Sequence, residues 1–378
     1  MRKVLLSYQL ADSRASEPHI QNDLLDLLFA VRTQGSISAA ARDMGLSYRH
    51  VWGQLKDWEV KLAQPLLQWE RGQAALLTPF ADKLLWTERL AQARLAPKID
   101  AMRAELERTL ALAFEANAHV LSLFASHDDA LPQLQTHASG QGVHLDIQFG
   151  GSLSALEALN SGQCALAGFH VRDNPSATSL SARTYKPLLK TGEHKLLGFA
   201  TRQQGLMVSA GNPRRIDDFK HIAQWRLRYV NRTSGSGTRV LLDELLKEQS
   251  VQAKQVLGYD RYEPSHSAVA LAVASGEADV GLGAQSAAVA HGLSFVPLLQ
   301  EHYYLVCRKQ VLSQPAVQAL QLILQSPEWS TLLGTVPGYL SYQSGKVLSL
   351  RQALQWWQLK PKVGSKAESA REVRRLVG

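Results

Sequence analysis

Cysteine is scarce in this sequence. Its 378 residues include two, Cys164 and Cys307, which lie far apart along the chain. Two separated thiols exclude a disulfide framework and a zinc site built on cysteine. We interpret both as buried thiols, because a free cysteine packs like a small hydrophobic residue.

Long hydrophobic runs are absent as well. No stretch of about 18 uninterrupted apolar residues occurs, and this argues against a transmembrane helix. The N-terminal MRKVLL begins like a signal peptide, but the apolar run breaks at Gln9 and Asp12, and no small-residue cleavage site follows. The sequence therefore predicts a cytoplasmic protein with no membrane partner.

The motifs of metal and nucleotide chemistry are missing too. Neither a metal-ligand spacing nor a dinucleotide-binding fingerprint occurs, so we expect no cofactor and no metal. Ser126, His127 and Asp128 have the residue types of a catalytic triad, but neighbours on one loop cannot aim at each other as catalysis requires. We therefore expect no enzyme. A solute-binding transport protein is the other alternative, and the missing export signal opposes it.

The positive charge is unevenly distributed. Basic and acidic residues number 15 and 14 in residues 1–115, 18 and 17 in residues 116–345, and 8 and 2 in residues 346–378. The basic excess thus lies at the C-terminus, and bulk charge does not locate a DNA-binding domain. We hypothesise that a basic tail, residues 351–378, adds salt-dependent affinity for DNA. The alternative is a solubilising tail.

The first part of the chain has the pattern of a helix-turn-helix. Apolar residues recur at helical spacing from Leu24, and Gly35 stands where a helix end favours a left-handed residue. Ser36 then starts a second helix, and Ser47 starts a third over residues 48–62. Two helices joined by a tight glycine-containing turn are typical of DNA-binding domains.

The third helix has a face suited to the DNA major groove. Arginine and glutamine can read base edges, while lysine, tyrosine and serine reach phosphates. The N-terminal residues of such a helix normally contact the bases. The alternative is an ordinary solvated helix face. The predicted DNA-binding residues of these two helices are Ser36, Ser47, Tyr48, Arg49, His50, Trp52, Gln54 and Lys56.

A hairpin follows the third helix. Two short apolar segments flank the sequence RGQ, so Arg71 lies near the tip and completes the predicted DNA-binding residues. Thr78 and Pro79 then open the next helix, with threonine as the cap and proline at the first helical position. This hairpin is the wing of a winged helix-turn-helix.

This domain resembles the DNA-binding domain of molybdate-responsive, ModE-type regulators over about residues 20–90. The resemblance rests on the runs GSISAAARDMGLSYRHVWGQLKDWE and PLLQWERGQAALLTPFADKLL. LysR-type regulators share the architecture more distantly. The element SYRHVW favours the ModE side, although the wing is shorter than the glycine-rich wing of that family. The resemblance implies a transcription regulator that binds double-stranded operator DNA.

A helical connector follows, from residue 82 to about residue 114. We expect a break at Ala96-Pro97, with one helix ending near Leu95 and another starting at Pro97, because proline lacks the N–H of a helical hydrogen bond. An apolar stripe along the connector is either ordinary core or a dimer seam. A dimer would place two helix-turn-helix units on neighbouring half-sites. The stripe comprises Leu95, Ile99, Met102, Leu106 and Leu110.

From residue 118 onward strands and helices alternate, which indicates an α/β domain. Strands are predicted over residues 120–125, 145–149 and 165–170, each ending in small or hydroxyl residues before a helix. Helix N-termini offer free N–H groups and the positive end of a dipole, so they suit anions. A further strand leads through a glycine/serine loop into a helix in RYVNRTSGSGTR. This loop is a cradle for a phosphate or carboxylate, or else a flexible turn.

This half resembles the type II periplasmic-binding-protein fold over about residues 118–350, in the form fused to winged helices or to molybdopterin-biosynthesis proteins. The segments that carry the resemblance are GGSLSALEALNSGQCALAGFHV, QQGLMVSAGNP, RYVNRTSGSGTR, SHSAVALAVASGEADVGLGAQSAA and PGYLSYQSGKVLSL. It implies two lobes joined by crossover strands near residues 198–205 and 295–306. The ligand is expected between the lobes, with lobe closure as the signal.

The ligand is expected to be a small anion. Hydroxyl and N–H donors at several helix starts favour an oxyanion, molybdate or tungstate in view of the ModE-like half. Arg232 and Arg239 favour instead a bidentate partner, which is a small carboxylate such as formate or the phosphate of a molybdopterin. Each arginine can equally form an ion pair within a lobe, and each histidine can equally be a core residue. The predicted ligand-binding residues are Ser126, His127, Ser152, His170, Arg232, Ser236, Gly237, Thr238, Arg239 and His266.

The sequence thus predicts an α plus α/β protein in four parts. These are a winged helix-turn-helix at 20–81, linker helices at 82–116, a two-lobed ligand-sensing domain at 117–350 and the basic tail at 351–378. The predicted function is ligand-responsive transcription regulation by a homodimer or higher homo-oligomer. Ligand is expected to close the lobes and to shift the spacing of two recognition helices, which requires different affinities for the two conformations.

Overall fold

The structure is a computed structural model that describes residues 22–69, 75–114, 119–173, 175–176 and 178–357. The predicted wing-tip Arg71 and residues 358–378 of the predicted basic tail lie outside the described residues. Within those residues, no helix is both long enough and apolar enough to span a membrane.

The N-terminal domain is a helix-turn-helix followed by a short hairpin. Its elements are α1 Asp23–Gln34, α2 Ile37–Asp43, α3 Tyr48–Leu62, β1 Leu67–Gln68 and β2 Leu76–Leu77. Gly35 ends α1 in the left-handed region at φ 72°, and the hydroxyl oxygens of Ser36 and Ser47 cap α2 and α3. Val51 and Leu55 of α3 lie fully buried in the core of this domain. The helix boundaries and caps agree with the sequence prediction.

One helix, α4 Pro79–Phe114, connects this domain to the rest of the chain. The predicted break at Pro97 is wrong, because the helix continues through the proline. Pro97 has no N–H to donate to the carbonyl of Ala93 four residues earlier. The hydroxyl of Ser265, from the sensing domain, lies 3.4 Å from that carbonyl oxygen and donates to it. A distant side chain thus replaces the missing helical hydrogen bond.

The sensing domain has two lobes and two long strands that belong to both. Lobe I comprises β3 His119–Ala125, α5 Ala130–Ser139, β4 Val143–Phe149, α6 Ser152–Ser161, β5 Leu166–Arg172 and α7 Leu180–Tyr185. The first long strand is β6 His194–Val208. Lobe II comprises α8 Phe219–Gln224, β7 Tyr229–Arg232, α9 Gly237–Glu248, β8 Tyr262–Glu263, α10 His266–Ala274, β9 Val280–Ala284 and α11 Gln285–Ala290.

The second long strand, β10 Ser294–Arg308, returns the chain to lobe I. The remaining elements of lobe I are α12 Pro315–Gln325, α13 Pro327–Gly334, β11 Tyr339–Ser341, β12 Val347–Leu348 and α14 Leu350–Ala353. The strand order of the large sheet is β4-β3-β5-β10-β6-β9-β7-β8. β6 and β10 lie antiparallel at its centre and contain the two segments predicted as crossover strands.

The sensing domain extends further than its predicted end at residue 350. Leu350, Leu354 and Trp356 are buried in the same core as the helices and strands of lobe I. Apolar side chains therefore keep the chain packed to about residue 357, within the segment predicted as tail.

The two cysteines are free thiols. Cys307 is buried on β10, whereas Cys164 is only partly buried, although the sequence predicts that both are buried. Burial raises the pKa of Cys307 to about 12 and that of Cys164 to about 11. Neither side chain is therefore a thiolate at neutral pH.

A buried ionic network joins the two long strands to lobe I. Arg202 of β6 and Glu301 of β10 lie opposite each other, with Arg202 Nε and Nη2 at 2.9 and 2.8 Å from Glu301 Oε2. Arg202 Nη1 also donates to Asp128 Oδ2, which accepts from the hydroxyl of Tyr339 at 2.9 Å. Although burial disfavours the charged carboxylate, Arg202 and His170 outweigh it, so the pKa of Asp128 lies well below its usual range.

Arg202→Met should destabilise the sensing domain strongly. Removing one partner of a buried ion pair leaves uncompensated buried charge, which costs about 3–5 kcal/mol. Urea denaturation should report this loss in the free energy of unfolding. Arg228→Met is the matched control, because Arg228 pairs with Asp279 at the surface, where ion pairs contribute about 0–1 kcal/mol. An equal loss in the free energy of unfolding in the two variants would contradict the stabilising role of the buried Arg202 network.

Candidate functional site

The start of α3 presents the side chains suited to DNA. Tyr48, Arg49 and His50 are all exposed in the first turn of the helix. The hydroxyl oxygens of Ser36 and Ser47 accept backbone N–H groups as caps, and each hydroxyl retains its own proton for donation to a phosphate. The first turn of α3 is thus free to enter a groove.

Trp52 and Lys56, also predicted to bind DNA, contact the wing. The ring of Trp52 lies 5.5 Å from the ring of Trp69, just after β1. The ammonium of Lys56 lies 4.9 Å from the ring of Trp52 and 5.1 Å from that of Trp69, and it donates to Glu59 at 2.7 Å. Glu59 in turn accepts two backbone N–H groups at the start of the hairpin. These side chains hold the wing against α3, a role that the sequence analysis missed.

Gln54 lies one residue before the buried Leu55 and is partly exposed on α3. It shares a helical face with His50, because residues four apart lie about 40° from each other around a helix with 3.6 residues per turn, whereas Arg49, five residues away, lies about 140° from it. Gln54 therefore remains a predicted DNA-binding residue.

The two lobes meet at the N-termini of α6 and α9. A Cβ placed on Gly151 would lie 2.5 Å from the carbonyl oxygen of Gly235, so the backbones of the lobes are in direct contact. A Cβ on Gly237 would lie 3.3 Å from Ser152 Oγ and 3.7 Å from the Cβ of His170. Three of the predicted ligand-binding residues, from both lobes, therefore surround one point.

The contact between the lobes continues on both sides of this point. Ser286 of lobe II donates to Asp129 of lobe I at 2.5 Å. On the other side the hydroxyl of Ser181 donates to Glu244 of α9 at 2.6 Å. Arg172 pairs with the same Glu244 at 3.5 Å. The structure is therefore a closed arrangement of the lobes.

Arg232 is a buried cation beside this junction. Its side chain is on the last residue of β7 and the residue is 3% exposed. Nη2 donates to the carbonyl of Pro264 at 2.9 Å, whereas Nε has no hydrogen-bond partner in the part of the chain that the structure describes. Burial, followed by repulsion from Arg202, lowers its pKa to about 10, so the guanidinium is still charged at neutral pH.

Ser152 adds a hydroxyl group. Its residue is fully buried at the first position of α6, and among the described residues its Oγ makes no hydrogen bond of ordinary geometry, although it interacts with the hydroxyl of Tyr185. The first N–H groups of α6 and α9 have no partner within their own helices. Hydroxyl, guanidinium and N–H groups therefore lie around the same junction, and each of them is a donor.

The histidines of the site are buried and neutral. Burial and then the positive charge of Arg202 lower the pKa of His170, whose ring stacks on Tyr303 at 3.9 Å. His170 Nδ1 lies 3.4 Å from the hydroxyl of Ser126. Burial and then Arg232 lower the pKa of His266, whose Nδ1 accepts the N–H of Ala284 at 3.4 Å. Neither imidazole supplies a positive charge at neutral pH.

His127 points to a different partner. Its Nε2 lies 3.4 Å from Asp100 Oδ2 of α4, and its ring packs on Phe149. His127 therefore links the linker helix to the rim of lobe I.

The start of α9 contains three more predicted residues, and only two of them lie at the junction of the lobes. Ser236 caps the helix by accepting the N–H of Arg239, and Thr238 is buried beside it. The guanidinium of Arg239, by contrast, lies 3.9 Å from the ring of Tyr259 and donates to the carbonyl of Tyr259 at 3.1 Å. Arg239, like His127, is therefore a predicted residue whose side chain the structure does not bring to the junction.

Sequence reasoning also missed several buried polar residues around the junction. The only local signal was a charged residue inside an apolar strand, at Arg202 in LLGFATRQQGLMV and at Glu301 in PLLQEHYYLVC. Those that the structure adds are Asp128, Tyr185, Arg202, Glu301 and Tyr339.

Comparison with known proteins agrees with this two-part organisation. Residues 134–325, half of the chain, match the family described as "PBP superfamily domain". Residues 23–82 match the family described as "Bacterial regulatory helix-turn-helix protein, lysR family".

Individual relatives match the chain to different extents. The uncharacterized protein YvgK of Bacillus subtilis is 34% identical over 226 residues, which are 56% of this chain and 72% of YvgK. The molybdenum-pterin-binding protein MopB of Rhodobacter capsulatus is 41% identical over 63 residues, 16% of this chain and 23% of MopB.

Among solved structures, a mutant of Corynebacterium glutamicum OxyR with bound H2O2 superposes with a TM-score of 0.41 and 15% identity, over 85% of this chain and 97% of OxyR. By its two family matches, the protein is a DNA-binding transcription regulator with a LysR-type helix-turn-helix and an effector-binding domain, and through that domain the chain belongs to the PBP superfamily.

Proposed function

We propose that this regulator binds a small oxyanion of the molybdate type between its two lobes and changes its affinity for operator DNA in response. The observation that carries the proposal is the buried Arg232, which has no carboxylate partner among the described residues and lies beside the junction of the lobes.

Charge balance supports an anion. The positive charge of Arg202 is compensated by direct contact with the carboxylates of Asp128 and Glu301. Arg232 has no carboxylate in contact among the described residues, and Asp129 and Asp128 attract it only from a distance. A buried cation without a contacting partner is costly, and a bound anion would reduce that cost. The N-terminal ends of α6 and α9, 10 and 12 residues long, add the positive ends of two helix dipoles.

The geometry supports a compact ligand. The backbones of Gly151 and Gly235 touch when the lobes are closed, so a large ligand would hold the lobes apart. Arg239 is engaged with Tyr259, which weakens the case for a carboxylate bound through that residue. The short similarity to MopB, a molybdenum-pterin-binding protein, favours a ligand that contains molybdenum.

Arg232→Gln should abolish the response to the oxyanion. We expect sodium molybdate or tungstate to raise the melting temperature of the full-length protein, since a ligand at 100 times its Kd stabilises by about 2.7 kcal/mol. Differential scanning fluorimetry with molybdate, tungstate, sulfate, phosphate and formate is the measurement. Arg239→Gln, the matched control, should respond like the wild type.

Other outcomes of this screen have distinct meanings. A rise in melting temperature with formate alone would make the protein a carboxylate sensor. If no compound raises the melting temperature of the wild type, the small-oxyanion proposal is wrong and a larger ligand such as a molybdopterin becomes the next candidate. A retained molybdate shift in Arg232→Gln would exclude Arg232 from the site.

Arg49→Ala should weaken binding to the operator. Loss of a side chain that reads a base costs about 1–3 kcal/mol, which corresponds to a Kd about 5- to 160-fold higher. Fluorescence anisotropy with DNA from the protein's own promoter region, compared with unrelated DNA, measures both affinity and specificity. Lys61→Ala, 12 residues later and about 18 Å along the same helix, should leave the operator affinity unchanged. An unaltered operator Kd for Arg49→Ala would show that Arg49 does not contact the bases, and that α3 is not the recognition helix that we assign.

The apolar stripe of α4 is proposed as the seam of a homodimer. Within this chain it is not core, because its side chains remain exposed, whereas Leu90, Ala93 and Ala104 of the same helix are buried against the sensing domain. A second copy would bury the same stripe, and two helix-turn-helix units would then reach two half-sites. The exposed members are Leu95, Met102, Leu106 and Leu110, with exposures of 38, 44, 39 and 45%.

Leu106→Glu should convert the dimer to a monomer. A charge at the centre of an apolar seam would be desolvated without a partner, which is strongly unfavourable. Sedimentation velocity of the full-length protein measures the state of assembly. Glu105→Ala on the neighbouring exposed position is the control and should remain dimeric. A wild-type monomer, or a Leu106→Glu dimer, would refute the seam.

A further inference from the structure

The linker helix α4 contacts both lobes of the sensing domain. Its first half packs on lobe II, where Leu90 and Ala93 share a small core with Ala268 and Leu271 of α10. One residue further on, Arg94 forms a two-pronged ion pair with Glu263.

The ion pair of Arg94 has a buried partner, Glu263. Its Nε and Nη2 lie 2.8 and 2.6 Å from the two carboxylate oxygens of Glu263, and Glu263 itself is 2% exposed on β8. Paired hydrogen bonds of this geometry are among the stronger ion pairs. The first half of α4 is therefore fixed to lobe II by packing and by charge.

The second half of α4 packs on lobe I. Asp100 is 6% exposed and lies 3.4 Å from Nε2 of His127. Ala104 is 2% exposed, and Arg108 pairs with Asp146 of β4 at 3.5 Å. This half of α4 is therefore attached to lobe I and is expected to move with it.

Both attachments lie beside the effector junction. His127 is the neighbour of Ser126 and Asp128, and Ser265, which donates to α4, directly precedes His266. Pro97 falls between the two attachments, and the helical hydrogen bond that it cannot make is replaced by one from Ser265 of lobe II. Within α4 itself one hydrogen bond is therefore missing at Pro97, and the replacement holds only while lobe II stays in place.

We propose that α4 is a strut between the lobes in the same chain, with Pro97 as its flexible point, and that it transmits lobe movement to the helix-turn-helix. This inference rests on the proposed function only for the identity of the effector. Opening of the lobes would separate the attachment at Arg94 from that at Asp100 and so bend α4. Because coupling is reciprocal, DNA that prefers one shape of α4 also changes effector affinity.

The strut can be tested first without any ligand. Hydrogen–deuterium exchange on the full-length protein should show that Arg94→Ala speeds exchange at least fivefold at the distant lobe junction, residues 150–154 and 235–239, and not only near Glu263. Glu263→Gln, which removes the charge but keeps the shape, should do the same if Arg94→Ala fails to fold. Lys98→Ala, an exposed residue of α4, is the control. Faster exchange confined to residues 261–268 would overturn the proposal.

The second arm measures transmission to DNA. Fluorescence anisotropy gives the Kd for operator DNA, with and without sodium molybdate at about 100 times its own Kd. Coupling between two sites typically changes affinity by about 5- to 150-fold. In Arg94→Ala, molybdate should change the affinity for operator DNA much less than in the wild type, while it should still raise the melting temperature. An undiminished change in Arg94→Ala would refute the strut. No molybdate effect on the wild type would instead refute the proposed effector, and the exchange measurement would still decide on the strut.

Discussion

The buried guanidinium of Arg202 holds the sensing domain together. It sits on one of the two central strands, pairs with Glu301 on the other and reaches Asp128 at the end of β3. A charge buried this deeply is stable only when it is paired and hydrogen-bonded. The two strands and the loop after β3 are therefore held in one register, and that loop also positions Ser126 and His127. Asp128 orients His170 through the same oxygen that Arg202 contacts.

This compensation decides which charges remain for a ligand. Asp128 and Glu301 neutralise Arg202, and burial keeps His170 and His266 uncharged. Arg232 is the cation at the junction that lacks a contacting carboxylate within the described part of the chain, although Asp129 and Asp128 attract it from a distance. Under the proposed function, an anion between the lobes would supply that direct contact. Under the proposed function, lobe closure and binding would be coupled, since Arg232 comes from lobe II and Ser152 from lobe I.

The DNA-binding domain divides the predicted recognition face between two tasks. The first turn of α3 is exposed, whereas Trp52 and Lys56 pack with Trp69 and fix the wing. Aromatic and cationic side chains bind one another as readily as they bind DNA, so residue type alone does not separate the two roles. The linker helix then joins this domain to both lobes, and any change in their separation reaches the DNA-binding surface through one continuous element.

The sequence by itself determined the local elements: the caps at Ser36 and Ser47, the end of α1 at Gly35 and the alternating strands. Those features depend on neighbours within a few residues. Tertiary structure alone decided the partners of buried charges and the course of α4. The contacts of Asp128 span 74 residues to Arg202 and 211 to Tyr339, and the donor that lets α4 pass Pro97 comes from Ser265, 172 residues from Ala93. Likewise Arg232 and Arg239 look equivalent in sequence, and only the position of Tyr259 turns one of them away from the junction.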